Sequence, residues 1–147
     1  IWYNGTADRY LLGDEMDPSE ITVFNQPLGS FNDPNSKIFP FKQHYASQPY
    51  DTVNDYFVQP KTVGEGGYWT EFDWQKAITL GMDTIGLPYS GQYDFAETLM
   101  YWPTTHMVQP AEEALQCTEC HSEDGRLDWI ALGYPGDPLD WGTRFDD

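Results

Sequence analysis

The five residues Cys117-Thr118-Glu119-Cys120-His121 constrain this chain more than any other part of it. Two thiols three positions apart lie on one side of a helical turn, and an imidazole follows directly. Each thiol can form a thioether with a haem vinyl group while the imidazole ligates the iron. A thioredoxin-like redox pair would need a βαβ surrounding, and half a zinc site would need further Cys or His close by; neither is present. The 147 residues contain 2 cysteines, both in this motif, so a disulfide scaffold is excluded. The cofactor expected from the motif is one covalent haem c, held by Cys117 and Cys120 with His121 as the proximal iron ligand.

A haem also accounts for an unusual composition. Hydrophobic residues make up 39% of the chain and its mean hydropathy is −0.61, below the apolar share of about 45–50% usual for globular domains. Yet 6 Trp, 10 Tyr and 8 Phe argue against disorder. A flat apolar macrocycle gives such chain a body to pack on, so cofactor and fold are expected to be coupled. Charge excludes another class: 7 Lys and Arg against 24 Asp and Glu give −17, the opposite of the clustered cations a nucleic-acid binder needs. No apolar run approaches the roughly 18 residues that span a bilayer, so no membrane span is expected. Ile1-Trp2-Tyr3-Asn4-Gly5 has neither the basic nor the apolar part of a signal peptide and no initiator Met. The numbering is therefore expected to begin after a processing event or a cut.

Turn residues crowd the first part of the chain: Asn4-Gly5, Gly13-Asp14, Asp17-Pro18, Gln26-Pro27, Asp33-Pro34-Asn35 and Phe39-Pro40. They predict irregular chain with one short strand at Ile21–Phe24. Thr70 and Asp73 at capping-box spacing, with Gly81 as a stop, predict a helix over Phe72–Leu80. A second helix is predicted over Asp94–Tyr101, ended by Pro103. A third is predicted from Pro110 through Glu112, Glu113 and Ala114 directly into Cys117. The expected fold is mostly irregular with a few short α-helices, a haem-organised c-type cytochrome module with little or no β-sheet. It forms a single module over 1–147, with 1–69 an irregular aromatic-rich wrap and 70–147 a helical haem-attachment part.

The iron needs a sixth ligand or an open face. His106 and His44 are the remaining imidazoles, and Met16, Met82, Met100 and Met107 the available thioethers. His106 follows Tyr101 and Trp102, while His44 lies among Phe39, Phe41 and Tyr45, rings suited to a haem edge. Met107 reads as packing. Two spare histidines and one haem do not balance: if both ligate iron, one completes a haem that this chain does not bind covalently. The sequence leaves open which of the two serves the chain's own haem. Among the acidic residues, Asp14, Glu15 and Asp17, or Asp137 and Asp140 with Asp146 and Asp147, could offer oxygens to calcium. They lack EF-hand spacing and read better as solvated surface. Asn4-Gly5-Thr6 fits an N-glycosylation acceptor and equally a turn.

Several ordered motifs extend these readings. Asn4-Gly5-Thr6, Arg9-Tyr10-Leu11-Leu12-Gly13-Asp14, Lys37-Ile38-Phe39-Pro40-Phe41-Lys42, Gln48-Pro49-Tyr50-Asp51-Thr52, Gly86-Leu87-Pro88-Tyr89-Ser90-Gly91, Tyr101-Trp102-Pro103-Thr104-Thr105-His106-Met107-Val108, Pro110-Ala111-Glu112-Glu113-Ala114-Leu115 and Gly125-Arg126-Leu127-Asp128-Trp129 bracket the C-x-x-C-H. Together they resemble the C-terminal portion of octahaem tetrathionate-reductase-type multihaem cytochromes c. The resemblance implies a haem-bearing module packed against other haems, with His106 and His44 as axial ligands, one on the chain's own haem and the other on a partner haem. The family's lysine-ligated catalytic haem is attached far upstream in those proteins, so no catalytic residue is assigned here. The expected function is electron transfer through one bis-His, low-spin haem in a relay with partner haems. Alternatives are a subunit or C-terminal fragment of a multihaem reductase, or a repeat unit of an extracellular haem filament. Partners are then other multihaem cytochrome chains or copies of this one, and thioether chemistry points to the periplasm or cell exterior of a prokaryote.

Overall fold

Tyr93-Asp94-Phe95-Ala96-Glu97-Thr98-Leu99 decides the architecture, and it decides against a helix. In the computed structural model of the chain, which describes residues 1–105 and 109–145, this stretch is a long strand with Ala96 and Thr98 buried at alternate positions. The strands are β1 (Trp2–Tyr3), β2 (Ala7–Arg9), β3 (Thr22–Pro27), β4 (Lys37–Ile38), β5 (Phe41–Asp51), β6 (Tyr56–Phe57) and β7 (Tyr93–Pro103). The helices are α1 (Tyr68–Glu71), α2 (Trp74–Ile85) and α3 (Pro138–Trp141), with short 3-10 turns at Ala111–Glu113 and Cys117–Glu119. Five strands form one sheet in the order β2-β3-β7-β5-β6, and β1 pairs with β4 in a second.

The sheet corrects the expectation of a mostly irregular chain with little or no β-sheet. β7 lies in the interior of the order, where Tyr, Phe, Thr and Trp fit a pleated surface better than a helix. Eight residues are also too few for periodicity to separate the two. β3 runs parallel to β7, with Thr22 opposite Thr98, Val23 opposite Leu99 and, after a bulge, Asn25 opposite Met100. The Asn25 carboxamide covers the bulge: Nδ2 donates to Tyr101 O at 2.6 Å and Oδ1 accepts from Tyr101 N at 2.9 Å. The strand expected at Ile21–Phe24 is thus present, shifted and lengthened.

The chain divides into two compact units. One comprises Asp8–Gln26 and Gln43–Tyr101, the other Ile1–Ala7, Pro27–Lys42 and Trp102–Asp147. The first of these contains the aliphatic core. Met16, Phe57 and Ala96 are covered by Tyr10, Phe24 and Tyr50, and a second cluster joins Val58, Ile78 and Met82. α2 begins at Asp73, whose carboxylate accepts from Lys76 N at 3.0 Å, as its capping position predicts. It does not stop at Gly81. It runs to Ile85 and ends at Gly86, in the left-handed region at φ 72°. Gly81 serves instead to let the backbone of residues 59–61 cross the helix: a Cβ there would lie 1.8 Å from Gln59 O, and Lys61 N donates to Ala77 O at 2.8 Å.

Asp51, at the end of β5, is fully buried and accepts five hydrogen bonds. They come from Val53 N, Asn54 N, Asn54 Nδ2, Ser90 N and Ser90 Oγ, at 2.6 to 3.1 Å. Burial alone would raise this carboxyl, but the Ser90 amide and hydroxyl with the amides of Val53 and Asn54 outweigh it and hold it below the usual range.

The other unit is built differently. Among the described residues, every buried Val, Leu, Ile, Met or Phe lies in the unit containing α2. Here rings and polar groups do the packing. Trp2, Phe31 and Tyr134 form a mutual cluster with centroids 5.0 to 6.1 Å apart, and Trp2 Nε1 donates to Leu132 O at 2.8 Å. The Arg144 guanidinium lies 4.2 Å over the Trp2 ring and donates to the carbonyls of Ser30, Phe31, Asp33 and Ser36. The helix expected from Pro110 into Cys117 is absent: after one 3-10 turn, Ala114 (ψ 140°) and Gln116 (ψ 159°) are extended. The eight residues from Pro110 to Cys117 are all exposed, and so short a segment with no buried face cannot sustain an α-helix.

Two substitutions test this account. Gly81→Ala, ordinarily a gain within a helix, should lower stability by about 3 kcal/mol through collision with residues 59–61, measured by urea unfolding. Asp51→Ala should cost about 3 kcal/mol at neutral pH by stranding its donors. Because the folded Asp51 carboxyl titrates below its unfolded value of about 3.9, its contribution is present above that pH and is lost as pH falls through the folded value. The acid limb of a stability-against-pH curve should accordingly flatten in Asp51→Ala.

Candidate functional site

The C-x-x-C-H segment folds as one tight turn because both of its ends are pinned. Gln116 N donates to Glu119 Oε2 at 2.8 Å and the Gln116 side chain accepts from the Glu119 amide, a capping box around the 3-10 turn Cys117–Glu119. Cys120 N and His121 N both donate to Cys117 O, at 3.2 and 2.8 Å. Arg126 N then donates to Glu119 O at 2.8 Å, folding the following loop back on the turn. Gly125 makes that return passable, since a Cβ there would lie 2.6 Å from Cys120 O. Neither cysteine is in a disulfide; Cys117 is exposed and Cys120 half-buried.

His121 is held from two sides. Its Nδ1 lies 2.7 Å from Asp137 Oδ1, and Trp129 stacks on its face with centroids 5.0 Å apart and planes 21° from parallel. Trp129 Nε1 donates to Cys120 O at 3.2 Å, so one side chain supports both the imidazole and the turn. Burial would raise the Asp137 carboxyl, but hydrogen bonds from Leu139 N and His121 outweigh it and hold it below the usual range. An ionised carboxylate takes a proton donor, which places hydrogen on Nδ1 and leaves the Nε2 lone pair for a metal. His121, Trp129, Leu127, Ile130 and Leu139 line an open cleft of about 690 Å³ together with Glu123, Arg126, Asp128, Asp137 and Asp140.

These features fit a covalently attached haem: two thiols on one turn, an imidazole whose Nδ1 is engaged so that Nε2 is left for a metal, and an adjoining cleft lined by both apolar and charged side chains. Cys117, Cys120 and His121 are brought together by the turn itself. His44 lies exposed on β5 in the unit containing α2, and His106 and Met107 lie outside the described residues. Met16 and Met82 are buried in the aliphatic clusters, and Met82 Sδ accepts from Gln59 N at 3.2 Å. Asp14 and Asp17 cap turns, accepting from Leu11 N and from Ser19. No group of three or more His, Cys, Asp or Glu side chains is gathered for a metal among the described residues. Asn4 Oδ1 accepts from Thr6 N and Oγ1, the turn that its sequence allows.

The sequence reading does not find Asp137 and Trp129 as partners of His121. Asp137-Pro138 does signal a helix start, with Asp at the cap and Pro at N1. Nothing in a sequence pattern pairs that cap with a histidine sixteen positions earlier.

Comparison with known proteins agrees with the geometry. Residues 1–124 match the protein family described as "Cytochrome c bacterial". The chain is also similar to the octaheme cytochrome c of Shewanella oneidensis in its crystal structure, with 51% sequence identity and a TM-score of 0.81. That match covers 95% of this chain and 33% of the other, so this chain spans about a third of the octaheme protein's length. No curated protein matches.

Gly125→Ala should push the 122–126 loop off the turn and cost about 2 kcal/mol, read from urea unfolding of the full chain. An unchanged midpoint would show that the loop adjusts without the close approach.

Proposed function

Because the chain belongs to the bacterial cytochrome c family, we propose that it is an electron-transfer module carrying one covalent haem c. Cys117 and Cys120 would tether the haem and His121 would ligate its iron. The family and the octaheme likeness support a multihaem electron-transfer role and covalently bound haem c. The observation that carries the finer reading is the pinned C-x-x-C-H turn, with His121 oriented by Asp137 and Trp129. When bound, the haem supplies a one-electron Fe(III)/Fe(II) couple.

The chain's own residues hold and tune it. The capping box fixes the spacing of the thiols, Asp137 fixes the tautomer of His121, and Trp129, Leu127, Ile130 and Leu139 offer apolar surface beside it. His106 and His44 are the axial candidates, one for this haem and the other for a haem of a neighbouring chain or segment. Bis-His ligation closes the iron to exogenous ligands and favours a low potential. The surplus of carboxylates, −17 overall, favours the ferric form and basic partners. Bacterial c-type cytochromes are typically periplasmic or extracellular, and no helix among the described residues is long and apolar enough to cross a membrane.

The one-third coverage of the octaheme protein favours a second reading in the same chemistry: this module is one part of a multihaem oxidoreductase, relaying electrons to a centre elsewhere. Partner chains, further segments or copies of this chain would then supply the haem that takes the spare histidine.

Intact mass of the denatured chain should show a single covalent haem, lost in Cys117→Ala/Cys120→Ala. Optical spectra should be low-spin and unchanged by cyanide. Replacing whichever of His44 and His106 serves this haem should produce a high-spin, cyanide-binding form. Absence of covalent haem overturns the proposal; a wild-type haem that binds cyanide overturns the bis-His relay and makes the centre a ligand-binding one.

A further inference from the structure

Asp137 does two jobs with one oxygen. Its Oδ1 accepts from Leu139 N at 2.9 Å, capping α3, and lies 2.7 Å from Nδ1 of His121. The cap is reinforced by its backbone: Pro138 occupies N1, and Asp140 N and Trp141 N donate to Asp137 O at 2.9 and 3.0 Å. The carboxylate therefore cannot swing away from the imidazole without breaking a helix start. Trp129 blocks the corresponding escape of the ring, stacking on it and bonding to Cys120 O. Both side chains of the pair are mostly shielded, with 26% of His121 and 18% of Asp137 accessible, so water competes weakly for the bond.

A carboxylate on the outer nitrogen of a ligating imidazole draws the N–H proton toward itself and makes the inner nitrogen a stronger donor. A stronger, more anionic donor stabilises Fe(III) over Fe(II), and hydrogen bonding of this kind is one of the levers a protein has on a haem. We propose that Asp137 is a positioning residue that gives the proximal His121 imidazolate character and thereby sets a low reduction potential for the haem. This rests on the reading of His121 as the iron ligand. The proton remains on the His121–Asp137 pair throughout, and the only change at the iron is the gain or loss of one electron.

The variant that isolates the charge is Asp137→Asn in the haem-loaded full chain. Asn caps a helix as well as Asp and can still accept from Nδ1, so position is kept and the negative charge is lost. The expected result is at least a tenfold shift of the Fe(III)/Fe(II) ratio toward Fe(II) at fixed potential, which is about 59 mV for a one-electron couple. The haem should stay low-spin. Asp140→Asn removes the same charge from the same cleft without touching the imidazole and should shift the ratio less than threefold; Asp137→Glu should recover part of the loss. An unshifted Asp137→Asn, or an Asp140→Asn shift as large, overturns the proposal. A measurement on the wild type stands apart from folding of the variants: the redox infrared difference spectrum with ¹⁵N-histidine should show a histidinate-like ring band, and a neutral-imidazole band overturns it. Absence of covalent haem instead overturns the reading beneath it.

Discussion

The clamp on His121, a carboxylate at its edge and an indole on its face, is the interaction on which this part of the molecule depends. Trp129 stacks on the imidazole, meets Tyr134 edge-on at 5.5 Å, and Tyr134 in turn meets Phe31 and Trp2. Each link is worth on the order of 1 kcal/mol beyond its area, and each ring buries surface that no aliphatic side chain supplies here. Arg144 closes the series by lying over Trp2 and gathering four carbonyls of the 30–36 loop. The orientation of one imidazole is thereby connected to the geometry of a loop about ninety residues earlier in the chain.

The two compact units solve the problem of stability by different means. The unit with α2 uses ordinary physics: a buried helix face of Ala77, Ile78, Gly81 and Met82, small clusters of aliphatic and aromatic residues, and a buried carboxylate with all its donors engaged. Among the described residues, the unit with the C-x-x-C-H has rings, capped turns and a guanidinium in place of an aliphatic core. That is the composition expected where a large apolar cofactor completes the packing, and it explains how so hydrophilic a chain can still be so aromatic.

The candidate site was legible where its chemistry is contiguous. Cys117, Cys120 and His121 need no tertiary information, because one turn carries all three. The sheet was not legible, for reasons visible in particular residues. β5 opens with Phe41-Lys42-Gln43-His44-Tyr45, four of them exposed, so it shows no alternation until Ala46. β7 mixes Ala, Glu, Leu and Met with its aromatics, and its parallel partner β3 is some seventy residues distant, beyond the reach of any local pattern. Gly81 looked like a helix stop because a glycine needed for left-handed backbone and one needed for close approach are the same letter. Asp137 was legible only as one surface carboxylate among many and not as a partner of His121, since only the folded chain brings them together.

The Arg144 contacts join residues 108 to 114 positions apart. Closing so long a loop is slow, and its entropy must be met before the guanidinium gains anything. The 30–36 loop and the segment around Arg144 are therefore held to one another only once chain more than a hundred residues apart has come together, which makes this contact a late one in folding.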